Sequence, residues 1–247
     1  MCLYKYLPAY SFDAQKKKIN ILEYIFENKT LRFTSPLVFN DPFELRPNIE
    51  KIIDEERHLV VSSISNYINN TGISNGFYYQ NVMQPLLKDI GILSLSEMHT
   101  NLVMWAHYAD SHKGIVLEID TAHSFFYSDP QNSSLLYPMQ KVEYIDKRPN
   151  ISSDKWEKTF LIKSEDWAYE KEHRMIVLFD EEDRRYDKYN IKFPPEILKS
   201  VYIGCKADQE TIEYIKQLSF KDEWKHLNIF QLAIAEKTFD LIIKNQG

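Results

Sequence analysis

The chain has 247 residues, 27% of them charged and 44% hydrophobic, and a formal net charge of -6, an ordinary mixture for a folded chain with a sizeable core. That acidic balance excludes nucleic-acid binding through a broad basic face, while a local basic groove remains compatible with it. With 6 glycines and neither GxGxxG nor GxxxxGK[ST], the usual glycine-rich phosphate cradles are excluded, and Cys2 and Cys205 alone cannot build a zinc cluster. The opening MCLYKYLPAY has no basic segment leading into an apolar core, so no signal peptide is expected. No apolar run approaches the roughly 18 residues of a membrane span. A reducing cytoplasm is the expected compartment.

In chain order, LYKYL reads as a short strand, and 12–27 as a helix with Ile19, Leu22, Ile25 and Phe26 at helical spacing. LRFTS is a strand, and PLVFNDPFE, broken by two prolines and an Asn-Asp-Pro turn, is an ordered loop. Residues 49–68 read as helical, and 69–90, with NNTGISNG, as a flexible excursion or lid. GILSLSE is a strand, NLVMWAHYA a short helix and KGIVLEID a strand after the Gly114 break. QKVEYID follows as a strand, then a helix over 153–168 with Trp156, Phe160 and Trp167 on one side. The strands RMIVLF, SVYIGC, IFQLAIA and FDLIIK and a helix near 207–218 complete the chain. Strands and helices mix without βαβ alternation. The expectation is therefore α+β: a single domain over 1–247, with several helices around antiparallel or mixed sheets.

Three segments concentrate the chemistry. In FNDPFE, Asn40, Asp41 and Glu44 either cap a rigid turn plugged by Phe39 and Phe43 or present polar atoms to a ligand. As a Mg²⁺ site the spacing matches poorly. In SLSEMHTNLVMWAHYADSHKG, Ser94 and Ser96 share one strand face. His107 and His112 are five apart, which does not suit a helical metal pair. Trp105, His107 and Tyr108 either belong to the packing or wall a pocket for a planar ring. In DWAYEKEHRMIVLF, Glu170 and Glu172 share a face if the segment is extended, roughly 6.5–7 Å apart. Two such carboxylates repel unless a cation intervenes, and Lys163, Lys171 and Arg174 are near enough in sequence to serve. The bland alternative is a solvated strand end whose charges pair at the surface.

These pieces, LYKY at 3–6, LRFTSPLVFNDPFE at 31–44, ILSLSE with MWAHYADSHKGIVLEID at 92–120, VEY at 142–144, DWAYEKEHRMIV at 166–177 and VYIGCKA at 201–207, resemble a bacterial family known as domain of unknown function 2971. Some members sit in loci that look like phage-defence or abortive-infection systems. The order of a basic residue on an early strand, a Ser-x-Ser strand and a Glu-x-Glu pair also resembles toxin-type mono-ADP-ribosyltransferases. That resemblance implies a split sheet and NAD as substrate, with no metal. It makes Glu172 the catalytic glutamate on the nicotinamide ribose, and Glu170 the group that orients or deprotonates the acceptor. It also implies ligand contacts from Lys5, Ser94 and Ser96, with Tyr4, Tyr6 or Trp105 stacking the nicotinamide; Asn40, Asp41, Glu44, His107, Tyr108 and Arg174 join the expected ligand contacts on their own chemistry. The chain departs from that pattern at Lys5, where the family has an arginine that grips phosphate as a fork; Arg32 or Arg46 are substitutes.

The expected function is thus an NAD-consuming, ADP-ribosyltransferase-like effector that modifies a nucleic acid or protein, a toxin or phage-defence protein with a neighbouring antitoxin or regulator as a further partner. The alternatives are a metal-dependent nuclease or phosphodiesterase built on Asp41, Glu44, Glu170, Glu172 and Lys171, and a non-catalytic sensor or partner-binding module.

Overall fold

The computed structural model describes residues 1–12, 15–46, 48–51, 80, 84–130, 133–152, 158–179 and 189–244. Its centre is a mixed sheet of β1 (Cys2–Leu7), β2 (Ile90–Ser96), β3 (Ile115–Asp120), β4 (Ser133–Lys141), β5 (Glu172–Phe179), β6 (Leu198–Ile203), β7 (Asn228–Ile234) and β8 (Leu241–Ile243). They lie in the order β8-β7-β6-β3-β1-β2-β5-β4. β6 and β7 run parallel, and the other neighbours are antiparallel. The α+β class read from the sequence is the one observed.

Strand alternation divides the sheet into two faces. On one, Leu3, Leu93, Leu95, Leu117, Ile119, Met175, Val177 and Val201 form the main core, each worth about 1.5–3 kcal/mol of burial. It is covered by α1 (Ile21–Phe26) and by α4 (Gln209–Leu218), with Trp224 wedged edge-on against Phe26. Asn20 starts α1 by accepting the Leu22 amide, and Asp208 starts α4 by accepting that of Thr211. The opposite face carries smaller clusters: α3 (Leu102–Tyr108) lays Met104 and Trp105 onto Tyr6 and Val116, and α2 (Gln84–Leu87) adds Leu87 beside Ile92 and Ile176.

The sheet is nearly two sheets. β1 pairs with β3 through all six of its residues, and β5 pairs with β2 at seven positions. β1 and β2, by contrast, meet at one position, Tyr4 opposite Ser96. Beyond it the strands diverge, and the polar backbone edge of β2 must find other partners. Thr34 takes both hydrogen bonds of Ile92, and the Lys5 ammonium donates to the Ser94 carbonyl at 3.3 Å. A fork opens between a five-stranded half and a three-stranded half. Gly114 lets the far end of β1 stay close to β3, since a Cβ there would sit 2.1 Å from the Leu7 carbonyl oxygen.

Several local expectations fail for identifiable reasons. The helix expected over 12–27 begins only at Ile21, because Tyr10–Phe12 and Lys18–Asn20 pair as a hairpin that uses Ile19 as a strand residue. Over 158–168, where a helix was expected, a 3-10 turn reaches Leu161, a strand runs Ile162–Ser164 beside Glu143–Ile145, and a 3-10 turn spans Glu165–Glu170. Tertiary pairing overrides the aromatic periodicity there. Residues 49–51 of the helix expected over 49–68 lie in the strand Asn48–Lys51, paired with Asn150–Ser152. The rest of that helix (52–68), most of the 69–90 excursion (69–79 and 81–83) and Trp156 lie outside the described residues.

Candidate active site in the fork of the sheet

A cavity of about 320 Å³ occupies the fork, within the range of small-molecule sites. β1 supplies Tyr4, Lys5 and Tyr6 to one wall, and β2 supplies Ser94 and Ser96 to the other. β5 adds Glu172 and Arg174, and α3 adds Tyr108. Asn40, Asp41 and Glu44 close it from the loop, with Arg32, Phe39, Lys163, Trp167 and Glu170 completing the lining. Twelve of the fourteen residues expected from the sequence therefore meet in one place. Trp105 and His107 are not among the lining residues. Trp105 is fully buried, its indole donating to the His99 carbonyl at 2.7 Å, so it belongs to the packing. His107 is exposed, 3.3 Å from the Tyr169 hydroxyl. Arg46, a proposed phosphate grip, lines a second cavity of about 260 Å³ beside Lys147 and Arg148. Arg32 lines the fork.

At the bottom lies a buried charge network. Lys163 Nζ is 2.6 Å from Glu170, 3.3 Å from Glu172 and 3.9 Å from Glu44. Arg174, 1% exposed, donates to both Glu172 oxygens at 2.8 and 2.9 Å, to the Phe160 carbonyl at 2.7 Å and to Glu44. Tyr108 donates to Glu170 at 2.6 Å. Asp41 caps its own turn by accepting the Phe43 amide at 2.8 Å. That is the bland role foreseen for it, performed at the cavity wall.

The two glutamates do not share an extended segment, as the sequence suggested. Glu170 ends the 3-10 turn Glu165–Glu170, Lys171 follows with a left-handed φ of 44°, and Glu172 starts β5. The bend turns both carboxylates onto the same lysine. Ser96 pins it by donating to the Glu170 carbonyl at 2.7 Å, and Asn101 donates to the Tyr169 carbonyl at 2.9 Å. Of the three cations that the sequence offered to the glutamates, Lys163 is the central one, although it was not among the expected ligand contacts. Reading 153–168 as a helix hid its place; as the buried middle residue of a three-residue strand before a capped turn it meets both glutamates.

Burial alone would raise the Glu172 carboxyl, but Arg174 and then Lys163 outweigh it and hold the group at about 2. For Glu44 burial wins over the same two cations and its pKa rises. Burial lowers Lys5 to about 8, against the upward pull of Glu172 and with a small downward push from Arg32. Burial, then Glu170, raises Tyr108, so its hydroxyl keeps its proton. Burial would lower Lys163, yet the surrounding glutamates raise it, and it stays an ammonium.

An acid-stability prediction follows from Glu172. Its folded pKa lies below the ordinary 4.5. It therefore stabilises the fold above the unfolded value, and that contribution, about 3 kcal/mol, disappears as pH falls from about 4.5 towards 2. Glu44, raised on folding, acts in the opposite sense: its contribution is present at low pH and is lost as pH rises through its folded value. Urea midpoints measured from pH 6 to 2 should fall steeply for wild type, and Glu172→Gln should flatten the curve. A wild-type curve already flat across that window would contradict the assignment.

A family model described as Protein of unknown function (DUF2971) matches residues 104–175, and the resemblance read from the sequence holds over that stretch. It spans Tyr108, Lys163, Trp167, Glu170, Glu172 and Arg174, the polar floor of the cavity. No curated protein and no solved structure matches the chain. Among the described residues, no helix is long and apolar enough to cross a membrane.

Proposed function

We propose that the protein is an ADP-ribosyltransferase-like enzyme that breaks the nicotinamide–ribose bond of NAD in the fork of the sheet and passes the ADP-ribose to an acceptor. One observation carries the reading: a single cavity is lined by a carboxylate pair, by the cations Lys5 and Arg32, and by aromatic rings. Lys5 and Arg32 suit a diphosphate, with Arg32 offering the planar fork that lysine lacks. Phe39 and Trp167 offer flat surfaces for a ring. Carboxylates in a desolvated site stabilise the positive charge that develops at the ribose carbon as the bond breaks.

The step balances without a redox partner. The acceptor heteroatom bonds to the ribose carbon, and the carbon–nitrogen electron pair leaves with nicotinamide, which departs neutral. The acceptor proton passes to a carboxylate and then to solvent. A nucleic acid or a protein is the proposed acceptor, in an effector of the toxin or phage-defence type held in check by a neighbouring antitoxin or regulator.

The metal-dependent alternative gains no support from the charges. Lys163 and Arg174 stand among these carboxylates where an ion would have to sit, and among the described residues no His, Cys, Asp and Glu group is placed to hold one. The test is nicotinamide release from NAD by purified protein, with cell lysate as the source of acceptors. Release above a no-protein blank is the expected result. If NAD neither binds nor turns over, the reading is wrong and a non-catalytic pocket takes its place.

A further inference from the structure

We propose that Glu170, with Tyr108 as its proton-bearing partner, is the carboxylate that meets the substrate, and that Glu172 is a positioning residue. This rests on the transferase reading of the cavity and reverses the roles that motif order assigns. The reason is acceptor capacity. An ionised carboxylate offers about four lone-pair sites. Those of Glu172 take Arg174 Nε at 2.8 Å, Arg174 Nη2 at 2.9 Å and Lys163 at 3.3 Å. Its amide is fixed as well, donating to the Tyr144 hydroxyl at 2.8 Å. Three charge-assisted bonds, the strongest kind in the site, thus hold Glu172 in place and leave it less room than Glu170 for a substrate hydroxyl.

Glu170 is differently placed. One oxygen accepts from Tyr108 and the other from Lys163, both at 2.6 Å, so about two lone-pair sites remain for a ligand. Its backbone is held by Ser96, and the helix that carries Tyr108 is anchored by Trp105. This is what a group that takes a proton in the reaction needs: a locked backbone, spare acceptor capacity and a neighbouring hydroxyl. Glu172 acts through others. By keeping Arg174 and Lys163 in place, it fixes the ammonium that faces Glu170. The Ser-x-Ser and Glu-x-Glu pieces are thus joined through Ser96, which holds the backbone of the reacting residue.

The experiment compares wild type, Glu170→Gln, Glu172→Gln and Tyr108→Phe for nicotinamide release from NAD across pH, with urea midpoints measured alongside. Glu170→Gln should lose about 10²–10⁴-fold in kcat/KM, the usual contribution of a positioned acid or base. Its residual activity should lose the acid limb of the pH profile. Glu172→Gln should lower the urea midpoint more and the rate at least tenfold less, keeping that limb. Tyr108→Phe, which removes one hydroxyl and no charge, should move the limb while the fold stays intact, and so reads the site even if Glu170→Gln folds poorly. If Glu172→Gln abolishes the limb and Glu170→Gln keeps it, or if the two lose equally, the assignment is overturned. A wild type that releases no nicotinamide overturns the transferase reading itself, and this assignment with it.

Discussion

Replacing Arg174 by alanine should destabilise the protein by about 3–5 kcal/mol, the usual result of removing one partner from a buried ion pair. The guanidinium satisfies both oxygens of Glu172, reaches Glu44, and caps the Phe160 carbonyl. Without it, Glu44 and Glu172 are left to share Lys163 with Glu170, and three close carboxylates repel one another. The loss should shrink at low pH, where the stranded carboxylates take up protons and the uncompensated charge disappears. Arg174→Lys should fall between the two, since an ammonium restores charge but cannot grip both Glu172 oxygens and the Phe160 carbonyl together. Urea denaturation of the three proteins at pH 7 and pH 4 measures this. A midpoint for Arg174→Ala equal to that of wild type at pH 7 would mean that the network contributes no net stability. Adding Glu172→Leu to Arg174→Met should recover part of the loss, because apolar replacement of both partners avoids leaving a charge buried alone.

Trp105→Ala should cost about 3–5 kcal/mol, as large aromatic truncations in a core do. The ring is fully buried, edge-on to Tyr6 at 5.6 Å between centroids and stacked with His112 at 6.2 Å. Its indole N–H donates to the His99 carbonyl, tying α3 to the segment that enters it. Trp105→Phe keeps most of the packing and loses that hydrogen bond, so about 1 kcal/mol is expected. The two variants should separate on thermal melting. The same truncation should reach the cavity indirectly, because Tyr108 is one turn further along α3 and its hydroxyl must arrive within 2.6 Å of Glu170. If Trp105→Ala melted like wild type, the ring would be a ligand surface, as one reading of the sequence had it, and not part of the frame.

What the sequence alone determines here is local chemistry and its order. Alternating and continuous apolar runs identify β2, β3, β5 and β6, since a buried strand must be apolar on the faces it hides, whatever its neighbours. The clustering of Glu170, Glu172, Ser94, Ser96 and the polar loop residues marks a candidate site, because that many ionisable groups beside core strands demand partners. Which partners they find is a matter of tertiary structure. Lys163 joins Glu170 and Glu172 because a three-residue strand and a 3-10 turn replace the expected helix, and short elements carry almost no periodicity to read. The fork exists because β1 and β2 meet once and then separate, a fact about pairing between residues some ninety positions apart. The surroundings of the two glutamates differ because Arg174 reaches Glu172 and Tyr108 reaches Glu170. Glu-Lys-Glu is nearly symmetric as a sequence, and only the bend at Lys171 and the packing of α3 and β5 around it break that symmetry.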